Sequence, residues 1–151
     1  MKPYDARQIR TAQRAMKVMG PVNTWLFRAT GGKVGGRFPK GQPVLLMTSV
    51  GRRSGEPRTV PLLYLEDDDD LVVVASQGGL PMHPAWYHNV VAHPEVTIEV
   101  GTATIHAIAV PLEGAERDEA YARQVEVRPN FGDYETQTDR TIPVVALTRA
   151  G

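Results

Sequence analysis

Residues Val44 to Leu65 read VLLMTSVGRRSGEPRTVPLLYL. An apolar run, Val44-Leu45-Leu46-Met47, leads into a connection punctuated by Gly51, Gly55 and Pro57. A second apolar run, Leu62-Leu63-Tyr64-Leu65, leads out. Two such runs around glycine and proline predict a hairpin, with strands over Val44–Val50 and Arg58–Leu65. The connection also carries Arg52, Arg53 and Arg58 with the hydroxyls of Ser54 and Thr59. Three guanidiniums at one tip repel one another unless an anion sits among them. Glycines let backbone N–H groups approach that anion, and guanidiniums fork onto phosphate or carboxylate oxygens. The hairpin tip is therefore either an anion cradle or a solvated basic turn. It is not a Walker loop, because G-x-x-x-x-G-K-[ST] is absent.

Downstream the β pattern continues. Glu66 and Asp67 to Asp70 read as a solvated acidic turn, without the spacing of a calcium loop. Leu71 to Ala75 is apolar at every position, which predicts a strand covered on both faces. Ser76-Gln77-Gly78-Gly79 follows, and its two glycines allow a flat ligand or another backbone to come close. His83 to Pro94 starts and stops on proline and reads as a helix. Its histidines, 83, 88 and 93, are five apart and so fall on different faces, unlike a metal-binding pair. Val96–Val100 and Thr102–Val110 predict a second hairpin across Gly101. Glu113–Val127 predicts a helix, Arg128 to Tyr134 an aromatic loop, and Ile142–Leu147 a last strand. Short strands with a few helices between them suggest a mainly β, α+β fold: an antiparallel barrel with helical decoration.

Upstream, residues 1–20 read as a separate amphipathic helix capped by Asp5. Ile9, Ala12, Met16 and Met19 form a thin apolar stripe, and Arg7, Arg10, Arg14 and Lys17 a basic face. Gly20-Pro21 is expected to end it. The basic face either stays in water or rests on an anionic membrane surface. Val22–Thr30, with Trp25, Leu26 and Phe27, is expected to form a second helix or a pocket wall. Gly31 to Arg37 is expected to be a glycine-rich loop.

The chain has 151 residues, enough for one core, with zero formal net charge and no cysteine. Neutrality argues against nucleic acid binding by bulk charge. Lack of cysteine excludes disulfides, thiol catalysis and cysteine-based zinc sites. No apolar run approaches the ~20 residues of a membrane span, and no secretory segment opens the chain. A cytoplasmic protein is the simplest account.

No nucleophile–base constellation is visible, and neither G-x-S-x-G nor H-E-x-x-H occurs. An anion cradle, a glycine-lined strand end and two aromatic segments instead suit a cofactor with a phosphate tail and a flat ring, which brings its own chemistry.

Thr48 to Pro61, Val73 to Gly79, His83 to Asn89 and Thr138 to Pro143, in this order, resemble the actinobacterial family of deazaflavin-dependent nitroreductases and F420H(2)-dependent quinone reductases. The resemblance runs from about Asn23 to Leu147. It implies a split antiparallel β-barrel over residues 21–151, of the FMN-binding, pyridoxamine-oxidase-like kind. It implies coenzyme F420, with its phosphate and oligoglutamate tail, and no metal. It places the tail on Gly51, Arg52, Arg53, Ser54, Gly55 and Arg58, with Pro61 and Leu62 next to them. It lays Ala75, Ser76, Gln77, Gly78 and Gly79 along the deazaflavin ring and puts Trp86 near it. Gln77 stands where the family often has a basic residue. The acceptor pocket falls to Leu63, Arg128, Phe131 and Tyr134, with Phe131 as a flat surface for a planar acceptor. Tyr134 and Ser76 are the candidate proton donors. The implied activity is hydride transfer from reduced F420 to a quinone, activated enone or nitro compound by a monomer or weak dimer. Two alternatives stand beside it: an FMN-binding reductase or oxidase on the same fold, and a non-catalytic deazaflavin carrier.

Overall fold

The computed structural model describes residues 4–32 and 42–150. Lys33 to Arg37 of the expected glycine-rich loop lie outside them, as do the side chains of Met16, Lys17 and Met19.

The predicted hairpin is present: β1 (Val44–Val50) pairs antiparallel with β2 (Pro57–Leu63), with Thr48 opposite Thr59. β3 (Leu65–Asp67) and β4 (Asp70–Val74) form a second hairpin over the exposed acidic turn, where Asp68 takes a φ of 52°. β5 (Glu95–Val100) and β6 (Ala103–Pro111) form the third, and β7 (Val144–Arg149) lies between β6 and β4. All seven strands make one antiparallel sheet in the order β2-β1-β5-β6-β7-β4-β3.

That order dictates the shape. β2 and β3 are the two edges of the sheet, yet only Tyr64 separates them in the chain. One residue spans less than 4 Å or so, so the sheet must curl until its edges meet at Tyr64. The ring of Tyr64 is buried at this seam, and its carbonyl accepts from Gln42 Nε2 at 3.4 Å. Inside the curl, Leu45, Met47, Val73, Ile98, Ala107, Val145 and Leu147 form the main core. Strand alternation sends the neighbours Val72 and Val144 to the other face, where they meet Ala120, Tyr121, Phe131 and Ile142 in a second core. Leu71 to Ala75 is thus covered on both faces, as its composition predicts. The fold is a split antiparallel β-barrel with helices packed outside it.

Two expectations are corrected. The first helix does not stop at Gly20-Pro21: α1 runs from Ala6 to Thr30 and ends on Gly31, which adopts a φ of 61°. A proline inside a helix removes one backbone donor and crowds the carbonyl four residues back, but the last turns of α1 are held from outside. Phe27 is buried, and Arg28 Nε and Nη2 fork onto Glu99 at 3.2 and 3.0 Å. The aromatic loop is mostly a helix. After α2 (Ala85–Ala92) and α3 (Gly114–Val127), Asn130–Gln137 forms α4 behind Pro129. Arg117 Nε and Nη2 both donate to the Ile142 carbonyl, at 3.1 and 2.8 Å, and tie α3 to the lead-in of β7.

Candidate functional site

The arginine loop is a tight turn. Gly51 N–H donates to the Glu56 carbonyl and Gly55 N–H to the Gly51 carbonyl, each at 2.8 Å. A Cβ on Gly51 would lie 2.5 Å from Ser54 Oγ and 3.3 Å from the Glu56 carbonyl, so a side chain there would displace the Ser54 hydroxyl and press on the turn. Gly55 sits at a φ of 71°, where a side chain is strained. Ser54 Oγ accepts from the Glu56 N–H at 3.2 Å and from Arg58 Nη2 at 3.4 Å. Arg58 also stands 3.7 Å from Glu56, with both side chains more than half exposed, so that pair is loose. Arg52 and Arg53 are exposed and have no ion pair among the described residues. The Arg52 N–H donates to Asn89 Oδ1 at 3.0 Å, which fixes the loop to α2.

Past the end of β4, Ala75 and Ser76 are buried, and Gln77–Gly79 forms a short 3₁₀ turn. Gln77, Gly78 and Gly79 have φ values of 45°, 63° and 79°. The two glycines have different uses. A Cβ on Gly79 would lie 3.1 Å from the Cα of Tyr134, so this glycine admits another backbone, that of α4. A Cβ on Gly78 would meet nothing within 4 Å, so this one faces open space. Gln77 Oε1 is buried without a hydrogen-bond partner among the described residues.

Arg140 holds this turn. Its guanidinium donates to the carbonyls of Leu80, Ala75 and Ser76 at 2.9, 3.2 and 2.7 Å, and to His83 Nδ1 at 2.9 Å. Arginine cannot accept a hydrogen bond, so Nδ1 is the acceptor and the His83 proton sits on Nε2. Desolvation, then the Arg140 charge, then His88 hold the His83 pKa below its ordinary value.

On α4, the Tyr134 oxygen accepts from Asn130 Nδ2 at 2.8 Å. Burial, the largest influence, raises its pKa, so the phenol stays protonated. Leu63 packs on the second core with Tyr134. Arg128 is half-buried at the end of α3. Phe131 is buried in the second core, because a helix turns its ring inward where a loop was expected. Trp86 is likewise a member of the main core. Pro61 and Leu62 are half-buried on β2.

Two residues carry more of the site than their sequence context suggests. Arg140 stands in the Thr138–Pro143 motif, but its four acceptors come from residues 75 to 83 and are invisible in one dimension. Tyr4 precedes α1 and donates to the Gly78 carbonyl at 2.9 Å, 74 residues away. No sequence signal marks it.

The model of the F420H(2)-dependent quinone reductase family matches residues 20–149. An F420H(2)-dependent quinone reductase of Mycobacterium tuberculosis H37Rv is 39% identical over 127 residues, 82% of this chain and 85% of its own. A solved F420-H2 dependent reductase is 42% identical with a TM-score of 0.64, covering 70% of this chain and 93% of that one. A chain from Listeria innocua, provisionally assigned as a pyridoxamine 5'-phosphate oxidase, is 15% identical with a TM-score of 0.53 and shares the fold alone, over 72% of this chain and 84% of its own. With a match that runs from within α1 to the end of β7 and takes in the arginine loop, the glycine turn and Arg140, the chain belongs to the F420H(2)-dependent quinone reductase family.

Proposed function

We propose that this protein is a reductase that uses reduced coenzyme F420 and passes a hydride to a small quinone. The observation that carries this reading is the donor set of the arginine loop. Three guanidiniums and a hydroxyl stand on or beside a tight turn, and two of the guanidiniums have no ion pair among the described residues. That set fits a phosphate followed by several carboxylates better than the single phosphate of FMN. Gln77 Oε1, buried and without a partner among the described residues, fits a ring N–H donor beside Gly78.

Arg52, Arg53 and Arg58 bind the phosphate and the glutamate tail. Ala75 to Gly79 lie along the ring, with Gly78 leaving it room. When bound, the reduced deazaflavin supplies the hydride. Tyr134 supplies the proton. Its oxygen already accepts from Asn130, so the O–H is directed elsewhere, and burial keeps it protonated. Ser76, buried beside the turn, is the second candidate. Activated enones, whose electron-poor carbon accepts a hydride in the same way, and nitro compounds are further acceptor classes. Arg7, Arg10 and Arg14, exposed on α1, favour a second role for this helix in resting on an anionic membrane surface. No helix among the described residues is long and apolar enough to cross one.

The test is a fluorescence titration of the purified protein with oxidised and reduced F420 and with FMN, followed by turnover with a soluble naphthoquinone. Preference for FMN refutes the cofactor assignment. Tight F420 binding with no turnover on quinones or enones leaves a carrier in place of an enzyme.

A further inference from the structure

The turn after β4 takes a conformation that its sequence does not favour. Gln77, a residue with a full side chain, sits at a φ of 45° and is followed by two glycines also in the left-handed region. Within the turn only two backbone bonds form, from Gly79 N–H to the Ser76 carbonyl at 2.9 Å and from Leu80 N–H to the Gln77 carbonyl at 3.2 Å. The rest of the hold comes from two side chains, Tyr4 on the Gly78 carbonyl and Arg140.

The Arg140 guanidinium is half-buried and, among the described residues, pairs with no carboxylate. It has exchanged water for three carbonyls and one imidazole nitrogen. Such a contact offers little charge neutralisation. What it offers is shape: a planar fork whose donors match acceptors at residues 75, 76, 80 and 83. A lysine ammonium is a point with three donors and cannot span those four acceptors.

Covalent geometry extends the effect to the other side of the chain. No peptide bond in the described chain is cis, and a trans peptide holds its N–H antiparallel to its carbonyl. With the Ala75 and Ser76 carbonyls turned toward Arg140, the N–H groups of Ser76 and Gln77 face away from it. Neither of them meets an acceptor among the described residues.

We propose that Arg140 is a positioning residue for the ring-binding turn. By fixing the Ala75, Ser76 and Leu80 carbonyls on one side, it sets the direction of the Ser76 and Gln77 N–H groups that a ring lying along this segment meets. It also holds His83 as the neutral Nε2–H tautomer against the same turn. Gly79 then docks α4 through Tyr134, so one guanidinium keeps the turn and the phenol in a single frame. This deepens the reading of the site as a deazaflavin seat and rests on that reading for the ligand.

The experiment compares the wild type with Arg140→Lys and Arg140→Gln, and with Ile98→Ala as a control that lowers stability from the main core without touching the turn. Three quantities are read below every melting temperature. They are amide hydrogen exchange at Gly79 and Leu80 without ligand, the ¹⁵N shifts of the His83 ring, and the Kd for F420. In both Arg140 variants, exchange at Gly79 and Leu80 rises at least tenfold, His83 becomes a mixture of tautomers, and Kd for F420 rises at least tenfold. In Ile98→Ala the three stay near wild-type values. Wild-type exchange and tautomer in the Arg140 variants overturn the proposal, and so does the same response in Ile98→Ala. If the wild type itself does not bind F420 while exchange and tautomer respond to Arg140, the positioning role stands and the ligand assignment falls.

Discussion

Tyr134 is a phenol whose oxygen is already an acceptor, from Asn130 Nδ2 at 2.8 Å, so its proton remains to be given. A hydrogen bond to an oxygen that gains charge in the transition state is worth more there than in the ground state. Tyr134→Phe should therefore lower kcat for a quinone by roughly ten- to a thousandfold and leave the Kd for F420 unchanged, as measured by stopped-flow turnover and fluorescence titration. An unchanged kcat passes the proton donor's role to Ser76. At the arginine loop, reversing Arg58 to Glu puts a carboxylate where the cofactor brings its own. Cofactor binding should weaken by roughly 2–5 kcal/mol if the contact is desolvated, with the melting temperature barely moved because Arg58 is exposed. Gly79→Ala tests the backbone. Its Cβ would strike the Cα of Tyr134 from a left-handed φ of 79°, and such strain costs on the order of 1–3 kcal/mol. A thermal melt equal to wild type would show that α4 moves aside without cost.

Among the elements, α1 departs furthest from its sequence reading. Its 25 residues span about 37 Å at ~1.5 Å per residue. It is held near both ends, by Tyr4 on Gly78 just before its first turn and by Arg28 on Glu99 in its last. A capping box sets where it starts: Asp5 Oδ1 accepts from Gln8 N–H at 2.8 Å, and Gln8 Oε1 accepts from Asp5 N–H at 2.9 Å. The exposed Arg7, Arg10 and Arg14 therefore lie in the turns that follow the Tyr4 contact with the proposed ring site. If this face rests on lipid, cosedimentation with vesicles containing phosphatidylserine should fall as salt rises, since exposed charges are screened beyond ~8–10 Å. Replacing the three arginines with glutamine should abolish it. Turnover of a soluble naphthoquinone should persist, because none of the three touches the turn. Salt-independent sedimentation would exclude an electrostatic contact.

Over the whole molecule, the half-buried ring of His83 and the buried ring of Tyr121 set limits on stability with pH. The His83 pKa is lowered in the fold, chiefly by desolvation. As pH falls below the ordinary histidine value of about 6.5, the unfolded chain takes up a proton that the folded chain refuses, and stability declines until the folded pKa is passed. The Tyr121 pKa is raised, chiefly by burial, and its hydroxyl donates to the Phe131 carbonyl. Above about pH 10 the unfolded phenol loses its proton first, and stability falls again. Melting temperature should form a plateau between these limits, and His83→Gln should flatten its decline between about pH 6.5 and 5. An unchanged decline in that variant would assign the acid limb to other groups. Much of the architecture could be read from composition and spacing alone. Gly51, Gly55 and Pro57 mark a turn because few residues allow one, and Leu71 to Ala75 is apolar throughout because both its faces are covered. Those are local requirements, and sequence records local requirements directly. Gly20-Pro21 and the segment from Arg128 to Tyr134 were misleading for the same reason. Their local propensities point to a helix end and a loop, whereas the anchoring of Phe27 and Arg28 and the burial of Phe131 come from distant parts of the chain. Tyr64 closing the barrel, Tyr4 reaching Gly78, Gly79 admitting α4 and Arg140 gathering four acceptors all join residues far apart in order. Only the tertiary structure could decide them, because a hydrogen bond or a packed ring depends on where its partner lies in space, and spacing along the chain carries that information only within a helix, a strand or a turn.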